Sequence, residues 1–277
     1  MSPPTAAAPT SAPAPALAKA VARGSPWWAA WADLIRFRPS AAVQNGVKSR
    51  SSSWYIHKLE DAWGDINIDL YPVVVSSLPP SVSAEDLLEH IRTNINDFVD
   101  PSYSHFYPYD ERYPPPSFGD KARWLSSGPE SAVISISMRM VRTWPGSDPT
   151  YYFRPDRGSV VCAQHEPNFW IFSTIYTDED WGHPVSGNRQ FGFIQDPNNG
   201  SFIFFTRGAD RATSMIDDFP LTPVFTFADW LWKSFQQRLV NYVNGNGGSA
   251  SSSSPISERV FWPAVKVVAW HPTVQWI

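Results

Sequence analysis

The sequence predicts an α+β protein with a mostly antiparallel sheet and a long helix near its C-terminal end. Four patterns carry this expectation. A strand-like alternation over residues 65–75 is followed by a helical apolar stripe up to Val99, then by a series of short strand-like runs, then by a second helical stripe from Leu231 to Val243. Strands clustered between two helices, rather than alternating with them, point to α+β architecture.

The first 26 residues are rich in Ala, Pro, Ser and Thr and hold too little large apolar surface to fold alone, so a flexible tail is expected. "WWAAWADLIRF" follows, with Trp27, Trp31 and Ile35 on one helical stripe, a short helix docked on the domain. Residues 40–53 read as a linker, and the compact domain is expected over 54–245.

Within it, Ile66, Ile68 and Leu70 alternate with Asp65, Asn67 and Asp69, the pattern of a half-buried strand with its acidic side in water. Pro72 then marks a bend or a sheet edge. Ser83 with Asp86 three residues later predicts a helix start, and Leu87, Leu88, Ile91, Ile95, Phe98 and Val99 supply the stripe. Residues 101–120, "PSYSHFYPYDERYPPPSFGD", have no period and read as a long loop. Strand-like runs come next at 122–125, 132–141, 151–153, 159–164, 169–176, 189–195 and 201–207, the last two joined by "DPNNG", strong turn chemistry. Phe202 and Phe204 share one face of the final run while Ile203 and Phe205 share the other. Both faces therefore need cover, from a ligand, from 27–37, from 260–277 or from another subunit.

Thr226 and Asp229 offer a second helix start, and Gly245 suits its stop. Residues 246–277 read as a Ser/Gly linker and an apolar C-terminal strand.

This order resembles the helix-grip fold of the START-like superfamily, which includes polyketide cyclases and lipid-transfer domains. The resemblance covers roughly residues 63–244. It implies a curved antiparallel sheet of about six or seven strands gripping the long C-terminal helix, with an apolar cavity between them. It carries no catalytic motif, so no residue roles follow from it. A long Tyr/Pro segment stands where related folds place a second short helix.

Composition narrows the function. The 277 residues carry a net charge of −4 and no Lys/Arg-rich run, which argues against nucleic acid as a partner. No apolar span approaches 20 residues, so no membrane-crossing helix is expected. No basic-then-apolar leader opens the chain, which makes a cytoplasmic location the expectation. The one cysteine, Cys162, allows no internal disulfide.

The chemical motifs are sparse. The six histidines include no pair at metal-ligand spacing, so neither metal nor cofactor is expected. "CAQHE" places Cys162 near His165, and "WGHPVSGNRQFGF" places His183 near Ser186, but neither sits in a nucleophile motif. The latter stretch reads as turn residues leading into a strand that carries Arg189. In "TRGADRAT", Gly208 is expected to end its strand with a tight bend, with Asp210 pairing with an arginine. The acidic "TDEDWGH" reads as a solvated turn.

The expected function is binding of a hydrophobic or aromatic small molecule. Arg189, Arg207 and Arg211 would be polar anchors. Tyr103, Tyr107, Tyr109 and Tyr113 would form a mobile lid, and Trp230, Phe235 and Tyr242 would line the cavity from the helix. Two alternatives stand beside it. One is a cyclase, dehydratase or hydrolase on the same fold with His183 or Asp210 as acid or base. The other is an interaction module whose Trp-rich and C-terminal segments dock on a protein partner or on a second copy.

Overall fold

A computed structural model describes residues 26–114, 117–142, 152–213, 224–263 and 265–266. The expected tail up to residue 25 and the apolar residues 267–277 lie outside the described residues.

The elements in chain order are helices α1 (Pro26–Arg36) and α2 (Ala41–Lys48), strands β1 (Tyr55–Ile56) and β2 (Trp63–Ser77), helix α3 (Ala84–Thr93) and strand β3 (Ser104–Pro108). Short helices α4 (Tyr109–Arg112) and α5 (Asp120–Trp124) lead into β4 (Val133–Arg142), β5 (Tyr152–Glu166), β6 (Phe169–Tyr176), β7 (Val185–Gln195) and β8 (Phe202–Ala212). Helix α6 (Val224–Gly245), β9 (Ser249–Ser252) and β10 (Ile256–Val260) complete them. The strands form one open, curved antiparallel sheet in the order β10-β2-β8-β7-β6-β5-β4-β3, with β1 beside β6 and β9 beside β2. Helix α6 lies against its concave face, as the helix-grip arrangement requires.

The concave core is built from one parity of each strand. Tyr71, Val73 and Val75 of β2, Phe172 of β6, Phe191 of β7 and Phe204 of β8 meet Phe235, Leu239 and Val243 of α6. The opposite parity is equally apolar. Ile66, Ile68, Leu70 and Phe205 are covered by Trp31, Leu34 and Ile35 of α1 and by Trp262 and Val265. The cover that β8 demanded therefore comes from flanking segments of the chain itself.

Several local expectations are corrected. Residues 40–53 hold α2, because Ser40 caps it and Val43 and Val47, one turn apart, bury on the sheet. The aperiodic stretch 101–120 contains β3, α4 and the start of α5, so about half of the expected loop lies in regular elements. The Asn96 side chain accepts from the Phe106 N–H and donates to the Phe106 carbonyl, satisfying the outer edge of β3 without a further strand. Residues 122–124 are helical rather than extended and Leu125 caps the helix, since Asp120 is drawn inward by Arg50 (2.7 and 3.1 Å) and by the Val133 N–H (2.7 Å). Residues 152–153 and 159–164, read as separate runs, are parts of one strand, β5. The expected linker after Gly245 pairs with β2 as β9. Gly247 makes the turn at φ +83°, and no side chain at 249–252 needs to be large for backbone pairing to hold.

Other features fall where they were expected. Ser83 and Asp86 form a reciprocal capping box, and Asp196–Gly200 closes the β7–β8 hairpin, with Gly200 at φ +74°. Helix α6 begins two residues before Thr226, and Asp229 instead accepts from the Tyr71 hydroxyl (3.1 Å) and from Lys233 (2.7 Å).

Candidate functional site

Strand β2 carries Asp69 on the concave side, where it is buried. The half-buried, water-facing strand expected from its alternation is therefore buried on both sides. An unpaired carboxylate there would be very costly, and the sheet supplies a partner. Arg189 of β7 donates to both Asp69 oxygens, at 2.9 and 2.7 Å, and to Asp210 Oδ2 at 3.3 Å. It also reaches Thr206 Oγ1 (3.3 Å), and its guanidinium lies 4.4 Å from the centre of the Trp232 ring of α6. Asn67 adds a donor to Asp69 (3.1 Å).

Glycines make room for this cluster. Gly187 stands directly across from Asp210, and Arg189 across from Gly208, in the β7–β8 pairing. A Cβ at Gly208 would stand 2.3 Å from Arg189 Nη2, and one at Gly187 would stand 2.4 Å from Asp210 Oδ1. On β5, a Cβ at Gly158 would lie 2.4 Å from the His183 ring. Gly208 is thus an interior strand residue that clears space for an arginine, and β8 runs on to Ala212. Ser186 and Gly187 likewise belong to β7 rather than to a turn before it.

These residues end a cavity of about 90 Å³ between the sheet and the first turns of α6. Phe106, Ile136, Met138, Val160, Phe172 and Leu231 give most of its apolar wall, while Arg189, Asp210 and His183 form its polar end. Asp210 is pushed up to about 7, because burial outweighs the attraction of Arg189. Among the described residues its Oδ1 accepts no hydrogen bond. His183 is pushed down to about 3, first by burial and then by the nearby His57. It is therefore neutral, with Nδ1 at 3.0 Å from the Val185 carbonyl and 3.2 Å from the Val185 N–H. A neutral ring can use only one of these contacts at a time. For Arg189, burial alone would lower the pKa, but Asp69 and Asp210 prevail and raise it.

A pH dependence follows. Between the depressed values of His183 and His57 (about 3 and about 4) and the ordinary 6.5, the unfolded chain binds more protons, so these groups make stability rise with pH. Asp210 acts oppositely: between 3.8 and about 7 the native state binds more protons, and stability falls as pH rises. Replacing Asp210 with Asn should therefore steepen the rise in stability across this window. Denaturant titrations over that range check it, and parallel curves for D210N and the wild type would refute the assignment.

The remaining site candidates are distributed elsewhere. Arg207 and Arg211 lie on the convex face and do not join Arg189, because residues 207 and 211 have the opposite strand parity to Asp210. Arg207 donates through Nε to Gln190 Oε1 (2.8 Å), and burial pushes it down to about 10. Arg211 donates to the carbonyls of Gly64 (2.9 Å) and Leu59 (2.5 Å) and lies over Trp262. Tyr109 is buried and donates to Glu179, and Tyr113 donates to Asp180. Asp180 also accepts from Ser135 and Ser159, and Asp178 accepts from Ser53 and Trp54. The acidic turn thus anchors part of the tyrosine-rich segment, and Asp180 is buried rather than solvated. Tyr107 packs beside His105 and under Arg112. Tyr103 packs against Phe227 and Trp230 of α6. Phe235 is part of the solid core against Phe191, and Tyr242 stacks on His90; neither lines the cavity. Trp232, unmarked in the sequence reading, does line it.

Cys162 is buried, and burial pushes its thiol pKa up, so it makes a poor nucleophile. His165 contacts Glu89 at 3.4 Å. Ser186 is on the other face from His183; its hydroxyl lies 3.4 Å from His57 Nδ1. Among the described residues, no group of His, Cys, Asp and Glu is arranged to hold a metal, and no helix is long and apolar enough to cross a membrane.

No family model matches this sequence. No curated protein matches it either. Among solved structures, the chain is similar to the di-domain ARO/CYC StfQ from the steffimycin biosynthetic pathway, at 10% identity and a TM-score of 0.37, over 67% of this chain and 52% of that one. The aligned region thus spans about half of that protein. The chain is also similar to protein Ms6760 from Mycobacterium smegmatis, at 11% identity and a TM-score of 0.37, over 67% of this chain and 96% of that one.

Proposed function

We propose that the inner cavity binds a small hydrophobic or aromatic molecule bearing one polar group, which meets Asp210 and Arg189 while the body rests among the phenylalanines. The observation that carries this reading is the polar end of a largely apolar cavity, where Asp210 Oδ1 accepts no hydrogen bond among the described residues. A ligand hydroxyl can donate to the ionised carboxylate, and a ligand carbonyl can accept from its protonated form. Apolar walls with a few convergent polar groups are the usual make-up of ligand sites. The volume limits the guest: an engineered apolar cavity of about 150 Å³ takes up benzene, so this smaller one admits a single ring with slight outward movement of the first turn of α6. The test is saturable binding of phenol and its loss when Ala228, which lines the cavity, is enlarged to tryptophan.

A second reading is acid–base catalysis at the same place, favoured by one observation. Asp210 is pushed up to about 7 and shares the cavity with the neutral His183, and a group titrating near neutrality can both give and take a proton. In that case D210N abolishes turnover of a bound ligand while leaving its affinity within a few-fold.

A further inference from the structure

A second pocket opens on the convex side of the sheet. The β6–β7 pairing ends at Ser173–Asn188, and β1 takes over beside β6 at Ile175. At this split, the Thr174 hydroxyl accepts from the Gly187 N–H (3.0 Å) in place of a backbone partner. The segment running from the end of α1 through α2 and β1 walls the opening, leaving about 500 Å³, within the range of small-molecule sites.

Its lining is basic although the chain as a whole carries −4. Arg38, Lys48 and Lys58 face Asp61 as the one lining carboxylate among the described residues. Arg38 is steadied by Glu60 and by the carbonyls of Ile35 (3.1 Å) and Phe37 (2.7 Å). Lys48 and Lys58 are exposed and, among the described residues, pair with no carboxylate. Ser186 adds a hydroxyl held, among the described residues, only by long contacts, 3.4 Å to His57 Nδ1 and 3.4 Å to Thr213 Oγ1. Beside these stands an apolar wall of Phe37, Ile56, Leu59 and Tyr55, the last stacked on Tyr176 with planes 4° apart. A bare inorganic ion would use the charges and leave this wall idle.

We propose that the outer pocket is a second binding site, for a small organic anion whose phosphate or carboxylate meets Lys48 and Lys58 and whose apolar or aromatic body lies against Tyr55 and Phe37. The site is distinct from the inner cavity: its lysines and aromatic residues lie across the sheet from Asp210, and Gly187 is the one residue that lines both among the described residues.

The test is calorimetric titration of the full chain with phenyl phosphate, benzoate and neutral benzyl alcohol. At least one anion binds, the tighter of the two identifies the preferred head group, and benzyl alcohol binds roughly tenfold or more weaker. The K48A/K58A double variant, with an unchanged circular dichroism spectrum, loses about tenfold or more in anion affinity. Affinity also falls as salt rises from about 50 to about 500 mM. The A228W variant, which fills the inner cavity, binds the anions as the wild type does. Equal binding of the alcohol, an undiminished double variant, loss of anion binding in A228W, or no anion binding at millimolar concentration would each overturn the proposal.

Discussion

Replacing Arg189 with Met should lower the stability of the protein by about 3–5 kcal/mol, the cost of leaving buried charge without its partner. Arg189 makes both hydrogen bonds that neutralise Asp69 and the one that reaches Asp210. Both acids are almost wholly buried, so water cannot replace the guanidinium. Methionine keeps much of the stem that packs under Trp232, which confines the loss to charge and hydrogen bonding. Thermal midpoints should fall by roughly 10 °C, given the usual relation between stability and melting for domains of about this size. Adding D69N and D210N to R189M should recover a large part of the loss, because the stranded charges are then gone. Urea denaturation measures both effects. A loss below about 1 kcal/mol would mean that water reaches the cluster.

Gly187→Ala should be the most damaging of the small substitutions at this site, costing about 3 kcal/mol, the upper part of the range for overpacking. Its Cβ would stand 2.2 Å from the Ala209 carbonyl and 2.8 Å from the Asp210 Cα. Those are backbone atoms of the neighbouring strand, and they yield only if the β7–β8 ladder opens. Gly208→Ala meets the end of the Arg189 side chain instead, so it should cost less while pulling Arg189 away from Asp210. Equal stability of G187A and the wild type would show that the two strands are not held together as described.

Much of the fold was legible because its signals are local. The capping box at Ser83 and the "DPNNG" turn act over a few residues, and each was placed from the chain alone, whereas the helix expected to run on through Val99 stops at Thr93 and gives way to a 3-10 turn over Ile95–Asp97. The segments read as linkers were misjudged for a physical reason. Residues 249–252 are three serines and one alanine, and they are ordered by backbone pairing with β2, which leaves little side-chain signature. For α2, two valines suffice because the sheet beneath them is already apolar.

The site was legible in part. Strand parity separates Asp210 from Arg207 and Arg211, and this two-residue period alone would have put those arginines on the other face. The clearer signal was the pair of matching patterns Gly187-x-Arg189 and Gly208-x-Asp210, each glycine facing the other strand's charged residue. Gly208 reads as a bend in isolation, and only the register turns it into a vacancy for a guanidinium. Asp69 could not be found by alternation, since a charged residue is assigned to water unless its partner, 120 residues away, is known.

In the proposed function, the polar end formed by Asp210 and Arg189 serves a ligand held in the apolar cavity beneath α6. Calorimetric titration of phenol into the wild type, A228W and D210N tests it most directly. The expected result is saturable one-to-one binding to the wild type, no measurable binding to A228W, and weakening by roughly fivefold or more in D210N, about 1 kcal/mol for one hydrogen bond to the ligand. Absence of saturable binding to the wild type, or binding that survives the tryptophan at 228, would contradict it.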